Sequence, residues 1–570
     1  VDFKNQGMRR AHPATGAGLA RRNGPLPDIY YYLSNFETAL ASLNARYADL
    51  WRAEEREFLA QFAGLPKASR ALLIRMVMRK GDLFRASRLN YPEIGDPSAA
   101  AAPLRDLGWV DDSPSLDMDQ LQRLLGKTEL LFHFRLPGRY EGLNKPDVVE
   151  VLRSHYPESK PFHAWCAESK DCVYDLRVAR LCERFRLMFF GNFHQDWTEF
   201  VLTDLGITSY EKIPSSLQSR PFGSRLHIDA FEELQRCQQG LDAGLPLDQV
   251  IAALPPAIAD CGWMEERRQK LLFQIARAAE RLGDFTTALA IFSECTHRGA
   301  RLRTIRLCER AHEWEIARDL CLAAQRHPEN EAERQQLCRL LPRLNRKLGV
   351  SCRPLRTTSK LSAFEMAVSR PDDEQSVEYC VRDRLAQQAQ GNSCIYYVEN
   401  GLANSLFGLL CWNAIFAPIP GAFFHDFQYG PADLSSDDFY QRRLEEFAAC
   451  FAELESDQYQ WTIRRQFAAK AGIQSPFVAW RLLSKPLLES ALACIPAAHL
   501  RIWFEWIVRD LRDNRAGFPD LVQFWPLERR YRMIEVKGPG DRLQDNQRRL
   551  LEHCAARHLP VSVCHVRWVS

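Results

Sequence analysis

Between Gly517 and Gln547 the chain reads GFPDLVQFWPLERRYRMIEVKGPGDRLQDNQ, and three of its side chains have the types and spacing to hydrolyse a phosphodiester. Asp520 follows a proline, fourteen residues separate it from Glu535, and one valine separates Glu535 from Lys537. Side chains alternate faces along a strand, so Glu535 and Lys537 point the same way and Val536 points into the other layer. The turn around PLERR folds DLVQFWP back on YRMIEVKG as an antiparallel hairpin, which lays Asp520 beside Glu535. Gly538, Pro539 and Gly540 end the second strand just beyond the lysine. Two carboxylates held this close repel unless a cation lies between them. A hard divalent ion resolves the conflict: magnesium takes oxygen ligands, manganese accepts the same set, and the Val536 carbonyl offers another oxygen. Such an ion would polarise a non-bridging oxygen of a phosphodiester and lower the pKa of the attacking water. The Lys537 ammonium would orient that water, stabilise its hydroxide form or favour the developing negative charge. The expected reaction is in-line attack through a pentavalent, phosphorane-like transition state. A Glu-x-Lys triplet alone is a common surface salt-bridge pattern; the signal is the whole arrangement of Pro-Asp, fourteen residues, Glu-x-Lys and a Gln-bearing helix.

The elements that must hold these groups follow from periodicity. DLVQFWP, YRMIEVKG and HLPVSVCHVRW have strand composition, and RLQDNQRRLLEHCAARH between the last two is a helix. Helices precede them in NSLFGLLCWNAIFAP, ESDQYQWTIRRQFAAKAG and the long apolar run PLLESALACIPAAHLRIWFEWIVRDLR. A mixed sheet with helices against it buries such a set. SRPDDEQSVEYCVRDRLAQQAQG reads as an acidic linker running into a helix, so this last domain starts near residue 380.

From about 190 to 350 the pattern is helical throughout. Phe285 with Ala288 and Trp314 with Ala317 repeat an aromatic–small spacing at an interval of 29, near the tetratricopeptide period, where the small residue admits a neighbouring helix. Curved helical stacks of this kind commonly act as scaffolds. Between the two units HRGARLRTIRLCER crowds Arg298, Arg301, Arg303 and Arg306 together, either as a phosphate site or as a helix face balanced by neighbouring acids. Upstream, helices around SRALLIRMVMRKGDLFRASRL form a small, winged-helix-like unit whose Arg70, Arg75, Arg79, Lys80, Arg85 and Arg88 either line DNA or make a solvated face. LNKPDVVEVLRSHYP starts a helix at Pro146 with Val148, Val149 and Leu152 as its apolar face.

Composition constrains less. Hydrophobic content of 46% and charged content of 26% are those of an ordinary globular chain, and a net charge of +3 neither marks nor excludes a nucleic-acid binder. The 17 cysteines include no CxxC pair, which fits reduced, mostly buried thiols in a cytosolic protein. No run of 18 apolar residues predicts a membrane span, and the basic start VDFKNQGMRRAHPATGAGLARRNG lacks the apolar run of a signal peptide.

GFPDL, EVKGPGDRLQDNQ and the terminal VCHVRW resemble the virus-type replication-repair nuclease domain, a branch of the PD-(D/E)xK superfamily. YYLSNFETAL near the start, QDWTEFVLTDLG at 195–206 and LANSLFGLLCWNAIF at 402–416 resemble the Fanconi-associated nuclease 1 family, and the chain is similar to its bacterial-type members. The resemblance implies mostly α-helical N-terminal and middle regions, with a SAP-like unit and helical repeats, followed by a C-terminal α/β, restriction-endonuclease-like nuclease domain. The corresponding divisions are a basic tail at 1–24, a helical DNA-binding region at 25–115, a SAP-like region at 116–190, tetratricopeptide-like repeats at 191–375 and the nuclease at 380–570. It implies cutting of branched or flapped double-stranded DNA near 5′ flaps, 5′-to-3′ exonuclease activity, and repair of interstrand crosslinks, in the bacterial cytoplasm with the nucleoid. Asp520 and Glu535 become metal ligands and Lys537 the catalytic lysine, with one or two magnesium or manganese ions. A further acidic ligand is expected on a helix before GLLCW, and Glu399 fits it and would help to hold a second ion; from chemistry alone Glu399 is equally a carboxylate near a helix start. Gln547 matches a family glutamine that would orient the lysine or the DNA backbone, while Asp541 reads as a turn or helix cap. The arginines at 298–306 are the candidates for the family's 5′-phosphate pocket. No cysteine–histidine cluster near residue 1 suggests the ubiquitin-binding zinc finger of animal members. The competing readings are a base-reading restriction-like endonuclease, an RNA-cleaving enzyme and a non-catalytic DNA-binding repair scaffold, the last of which requires no divalent ion.

Overall fold

The computed structural model describes residues 28–197, 209–214, 219–351, 361–370 and 375–569. The basic start and most of QDWTEFVLTDLG lie outside them. The described chain forms two compact units, one drawn from residues 28–38 and 65–177, the other from 39–64, 178–197 and 209 onward.

In the first unit, helices Lys67–Val77 and Pro97–Asp106 accompany an antiparallel sheet in the order Leu83–Arg85, Val173–Leu176, Val110–Asp111. Sequence periodicity misses this sheet because strands of two to four residues are too short to show alternation. Helices Met118–Leu124 and Lys145–His155 share a core built on Leu121, Leu130, Val149, Leu152 and Trp165. Pro146 sits in the first turn of Lys145–His155, and the Asn144 side chain caps that turn by accepting the Asp147 N–H at 3.0 Å. Several of the basic side chains here are internally engaged: Arg70 pairs with Glu37, Arg75 with Glu93, and Arg85 with Glu129 and Asp171.

In the second unit, Gly262–Leu282, Phe285–Glu294, Ala300–Arg310, Trp314–Arg326 and Glu331–Lys347 pack in sequence, with Ala288 and Ala317 fully buried where neighbouring helices approach. A five-stranded sheet follows. Its strands are β1 (Ala363–Ser369), β2 (Cys394–Tyr397), β3 (Leu521–Trp525), β4 (Arg530–Lys537) and β5 (Val561–Val569), in the order β1-β5-β4-β3-β2. β5 runs parallel to β1 and β4; β4–β3 and β3–β2 are antiparallel. The sheet thus takes its edge strand from ahead of residue 380. One face packs on α1 (Val377–Ala389) through Val381, Leu385, Leu521, Ile534 and Val536. The other meets a larger core shared by α2 (Gly401–Leu410), α3 (Lys485–Cys494), α4 (Ala497–Arg509) and α5 (Asp545–Ala555). The single apolar run expected over 486–512 is two helices: Pro496 lacks the N–H that would continue α3, and α3 and α4 meet at 109°. No single helix among the described residues is long and apolar enough to cross a membrane. The described cysteines are free and mostly buried.

Candidate active site

The β3–β4 hairpin brings Asp520, Glu535 and Lys537 together. Leu521 pairs with Ile534, so one step further along the ladder Asp520 stands opposite Glu535. Val536 joins the core on the α1 side while Met533, two residues before Glu535, joins the opposite core, which is the alternation of a strand. Asp520 Oδ2 accepts the Val536 N–H at 2.8 Å. The N–H and C=O of one strand residue leave on the same edge, so the Val536 carbonyl also faces the Asp520 side.

The three groups are removed from water: Asp520 and Lys537 are 9% exposed and Glu535 is fully buried. Lys537 Nζ lies 2.8 Å from Glu535 Oε1, but off the direction of a hydrogen bond, and neither Glu535 oxygen has a hydrogen-bond partner. The contact is one of charge. It does not offset burial, which pushes the Glu535 carboxyl up to about 7, helped by repulsion from Asp520 and Glu399. Burial likewise pushes Asp520 up to about 6 despite the Val536 N–H, with Glu378 and Glu399 adding to the rise. Mutual repulsion within such a pair is felt by whichever carboxyl ionises second, here Glu535. Two buried carboxylates, one with both oxygens orphaned, and one off-axis ammonium are short of positive charge, and a divalent cation fits that deficit. Among the described residues no three His, Cys, Asp or Glu side chains form a ready ligand group, so Asp520, Glu535 and the Val536 carbonyl are the oxygens on offer.

Glu399 reaches the same place from β2, in a turn and not on a helix as expected. The N–H groups of Val398 and Glu399 both donate to the Asp520 carbonyl, at 2.8 and 3.0 Å. Glu399 holds φ +27°, unusual for a side-chain-bearing residue, and its Oε2 accepts the Tyr397 hydroxyl at 2.6 Å. Gln547 lies in the first turn of α5, where Oε1 accepts the Gln544 N–H at 2.9 Å in a capping box. Asp541 closes the turn after β4 by accepting the Gly538 N–H at 3.1 Å. Glu378, in the first turn of α1, was not singled out from the sequence; its only signal is an acid at a helix start, which the helix dipole explains equally well.

Gly517 fixes α5 against the approach to Asp520. It holds φ +97°, and a Cβ there would lie 2.8 Å from the Asn546 carbonyl carbon, 2.9 Å from its oxygen and 3.0 Å from the Gln547 nitrogen. These are backbone atoms, so the clash cannot be relieved by a rotamer change. Gly517→Ala is expected to lower stability by about 1–3 kcal/mol. Its cleavage rate per folded molecule, measured well below the thermal midpoint, should fall as well, because Asp520 and α5 shift together.

The arginines at 298–306 do not converge. Arg298 forks onto Asp510, at 3.0 and 2.6 Å, and reaches Asp513 at 3.0 Å. Arg301 grips Glu333, Arg303 meets Glu280 at 3.3 Å, and Arg306 donates to Gln336 at 2.7 Å. A cavity of about 710 Å³ lies elsewhere in the second unit, lined by Arg267, Lys270 and Arg512, by the acids Asp242, Glu266 and Asp433, and by His297 and Tyr429. Neither Asp520 nor Glu535 lines it. Lys270 faces the open cavity with no carboxylate in ion-pair range among the described residues, and burial within the walls, then the charges of Arg267 and Arg512, pull its pKa down. This cavity escapes sequence reading because its lining comes from separate segments near residues 190, 270, 297, 430 and 512.

Residues 30–111 match the FAN1 HTH domain family, residues 115–165 the Fanconi anemia-associated nuclease SAP domain and residues 454–568 the VRR-NUC domain. The chain is 50% identical over 557 residues to a Fanconi-associated nuclease 1 homolog of Pseudomonas aeruginosa, covering 98% of this chain and 99% of the relative. An Arabidopsis thaliana homolog is 24% identical over 607 residues, covering 95% of this chain and 68% of the relative. A crystal structure of paFAN1 bound to 2nt 5′ flap DNA with a gap superposes with a TM-score of 0.87 at 51% identity, over 96% of this chain and 100% of that one. The corresponding complex with 1nt 5′ flap DNA gives 0.86 at 50% identity, over 95% and 100%. Whole-length identity, the three matched domains and the buried hairpin site agree: the chain belongs to the Fanconi-associated nuclease 1 family.

Proposed function

We propose that this chain is a structure-selective DNA endonuclease that cuts near 5′ flaps and branches, with 5′-to-3′ exonuclease activity, by divalent-metal-dependent phosphodiester hydrolysis in DNA repair, including interstrand crosslink repair. The observation that carries the reading is the buried Asp520–Glu535 pair beside Lys537, in a chain alike along nearly its whole length to a protein crystallised on 5′ flap DNA. Nucleases of this domain class need a divalent metal. Here Asp520, Glu535 and the Val536 carbonyl would hold magnesium or manganese, and Glu399 is the carboxylate available for a second ion. The bound cation would supply Lewis acidity toward a phosphodiester oxygen and toward water. Lys537 donates toward the attacking water and favours its deprotonated form. Asp520 and Glu535, held in the hairpin, would present their oxygens to that cation; without it two carboxylates repel a phosphodiester. Gln547 keeps its Nε2 for the DNA backbone, since Oε1 serves the cap.

Phosphate contacts away from the chemistry set the register of the branch without reading bases. Arg298, Arg301 and Arg303 are paired with carboxylates and Arg306 with Gln336, so we place a terminal-phosphate role in the cavity of Lys270 and Arg512. Of the five proposed regions, 1–24, 25–115 and 116–190 keep their bounds, while the nuclease takes in the edge strand Ala363–Ser369, so its boundary with the repeats, expected at 375–380, lies ahead of that strand. The place of action is the bacterial cytoplasm with its nucleoid, where the substrate lies.

The test is cleavage of end-labelled 5′ flaps of unrelated sequence, in DNA and RNA forms, with magnesium or manganese. The DNA flaps should be cut at one position relative to the branch, and intact duplex spared. Absence of any divalent-dependent cleavage of branched DNA would sink the reading. Lys270→Ala should raise KM about tenfold for a 5′-phosphorylated substrate and leave a 5′-hydroxyl substrate unchanged, the cost of one charge-assisted contact.

A further inference from the structure

The site is assembled from two stretches far apart in sequence, the turn after β2 and the turn before β3, separated by the helices of residues 401–516. Two backbone bonds, from the Val398 and Glu399 N–H groups to the Asp520 carbonyl, join these turns at Asp520 itself. One side chain extends the junction to the residues ahead of Asp520. Asn400 Oδ1 accepts the backbone N–H of Gly517 at 2.8 Å and of Phe518 at 3.0 Å. Two donors on one amide atom identify it as the oxygen, which puts the NH2 on the other side. There Nδ2 reaches Glu399 Oε1 at 3.5 Å. The Asn400 carbonyl accepts Asn404 Nδ2 at 2.6 Å, and the same Nδ2 donates to the Arg515 carbonyl at 2.7 Å, so the clasp is itself braced.

We propose that Asn400 is a positioning residue: its amide ties the turn that carries Glu399 to the turn that delivers Asp520, and so sets the spacing of the carboxylates. This rests on the nuclease reading above. The amide is the group the position requires. Its oxygen serves two N–H donors and its NH2 serves a carboxylate; aspartate keeps the first function and loses the second, and alanine loses both. The left-handed backbone of Glu399 gives the clasp something to restrain. A residue with a side chain stays at φ +27° only while its neighbours over-determine it. Released from Asn400, the Glu399 backbone is held only by its bonds to the Asp520 carbonyl, and its carboxylate loses the amide that orients it.

The experiment compares Asn400→Ala, Asn400→Asp and Asp520→Asn in the full chain. Amide hydrogen exchange at Gly517 and Phe518 reads the clasp directly, and cleavage of a gapped 5′ flap with magnesium reads its consequence. Asn400→Ala should speed exchange at both amides at least about tenfold and lower kcat about a hundredfold, with KM for DNA within about twofold. Asn400→Asp should keep near wild-type exchange yet lose about tenfold in kcat, because a carboxylate now faces Glu399. A merely structural role predicts loss in proportion to the unfolded fraction, with kcat per folded molecule unchanged. That result, or wild-type kcat in Asn400→Asp, overturns the assignment. Asp520→Asn separates the two claims: if it cleaves like wild type, the nuclease reading fails whatever Asn400 does.

Discussion

Exchanging Glu535 for glutamine is expected to lower the single-turnover rate on a magnesium-loaded 5′ flap at least about a thousandfold, while DNA binding stays within about threefold. The size follows from position. Glu535 is fully buried, neither of its oxygens has a hydrogen-bond partner, and it stands opposite Asp520 on the hairpin. An amide of the same shape fills the same space, so packing of β4 against β3 and β5 is preserved. What is lost is one of the two charges that make the site attractive to a cation. Lys537→Met should fall about a hundredfold for a different reason: the hairpin keeps both carboxylates, but the water loses the ammonium beside it. Single-turnover cleavage gives the rates, and band shifts in calcium give binding. A Glu535→Gln protein that keeps more than a tenth of the wild-type rate would remove the metal-site reading of this hairpin.

The hairpin was legible because its pieces are local. A proline-led strand, a polar turn and an alternating strand within 20 residues leave one geometry, and Asp520, Glu535 and Lys537 follow from it. Whatever comes from far along the chain was less so. β2 is four residues, CIYY, with nothing to alternate against, so the turn that carries Glu399 could be placed near the site only by resemblance, and on the wrong element. β1 is an edge strand whose alternate residues face outward, and it pairs with a strand some 200 residues away. Asn400 and Glu378 are ordinary residues at helix starts until tertiary structure shows what they face. The arginines of 298–306 show the converse limit. A dense local cluster is compatible with one anion site or with a face balanced by acids, and Asp510, Glu333 and Glu280, each from a separate segment, favour the second by dividing it among internal ion pairs. Local composition gives the charges on an element; their partners are decided by topology.

The second large effect couples the site to folding. Metal-free protein should lose stability as pH rises from about 4 to about 7, and magnesium or manganese should restore it. Both carboxyls sit above their ordinary values, Asp520 at about 6 and Glu535 at about 7, chiefly through burial. A carboxyl whose folded-state pKa is raised favours the folded state while protonated; that contribution is complete below about pH 4 and is lost as pH climbs through the folded-state values. Linkage puts the loss at about 3 kcal/mol for each group once it is ionised. A cation reverses the sign, since it binds the ionised pair and displaces the protons, and at a hundredfold excess over its dissociation constant it adds about 2.7 kcal/mol. Many other groups titrate over the same range, so the informative quantity is the difference between wild type and Glu535→Gln. Without metal the variant should melt several degrees higher than wild type at pH 8 and at nearly the same temperature at pH 4, where the Glu535 carboxyl is largely protonated in both the folded and the unfolded state. With manganese at pH 8 the wild type should gain and the variant should not. Calorimetry in two buffers of different ionisation heat should also show protons released on manganese binding at pH 6.5. Equal melting of the two proteins at pH 8 without metal, or equal gain with it, would mean that the charge on Glu535 is compensated by groups other than a bound cation.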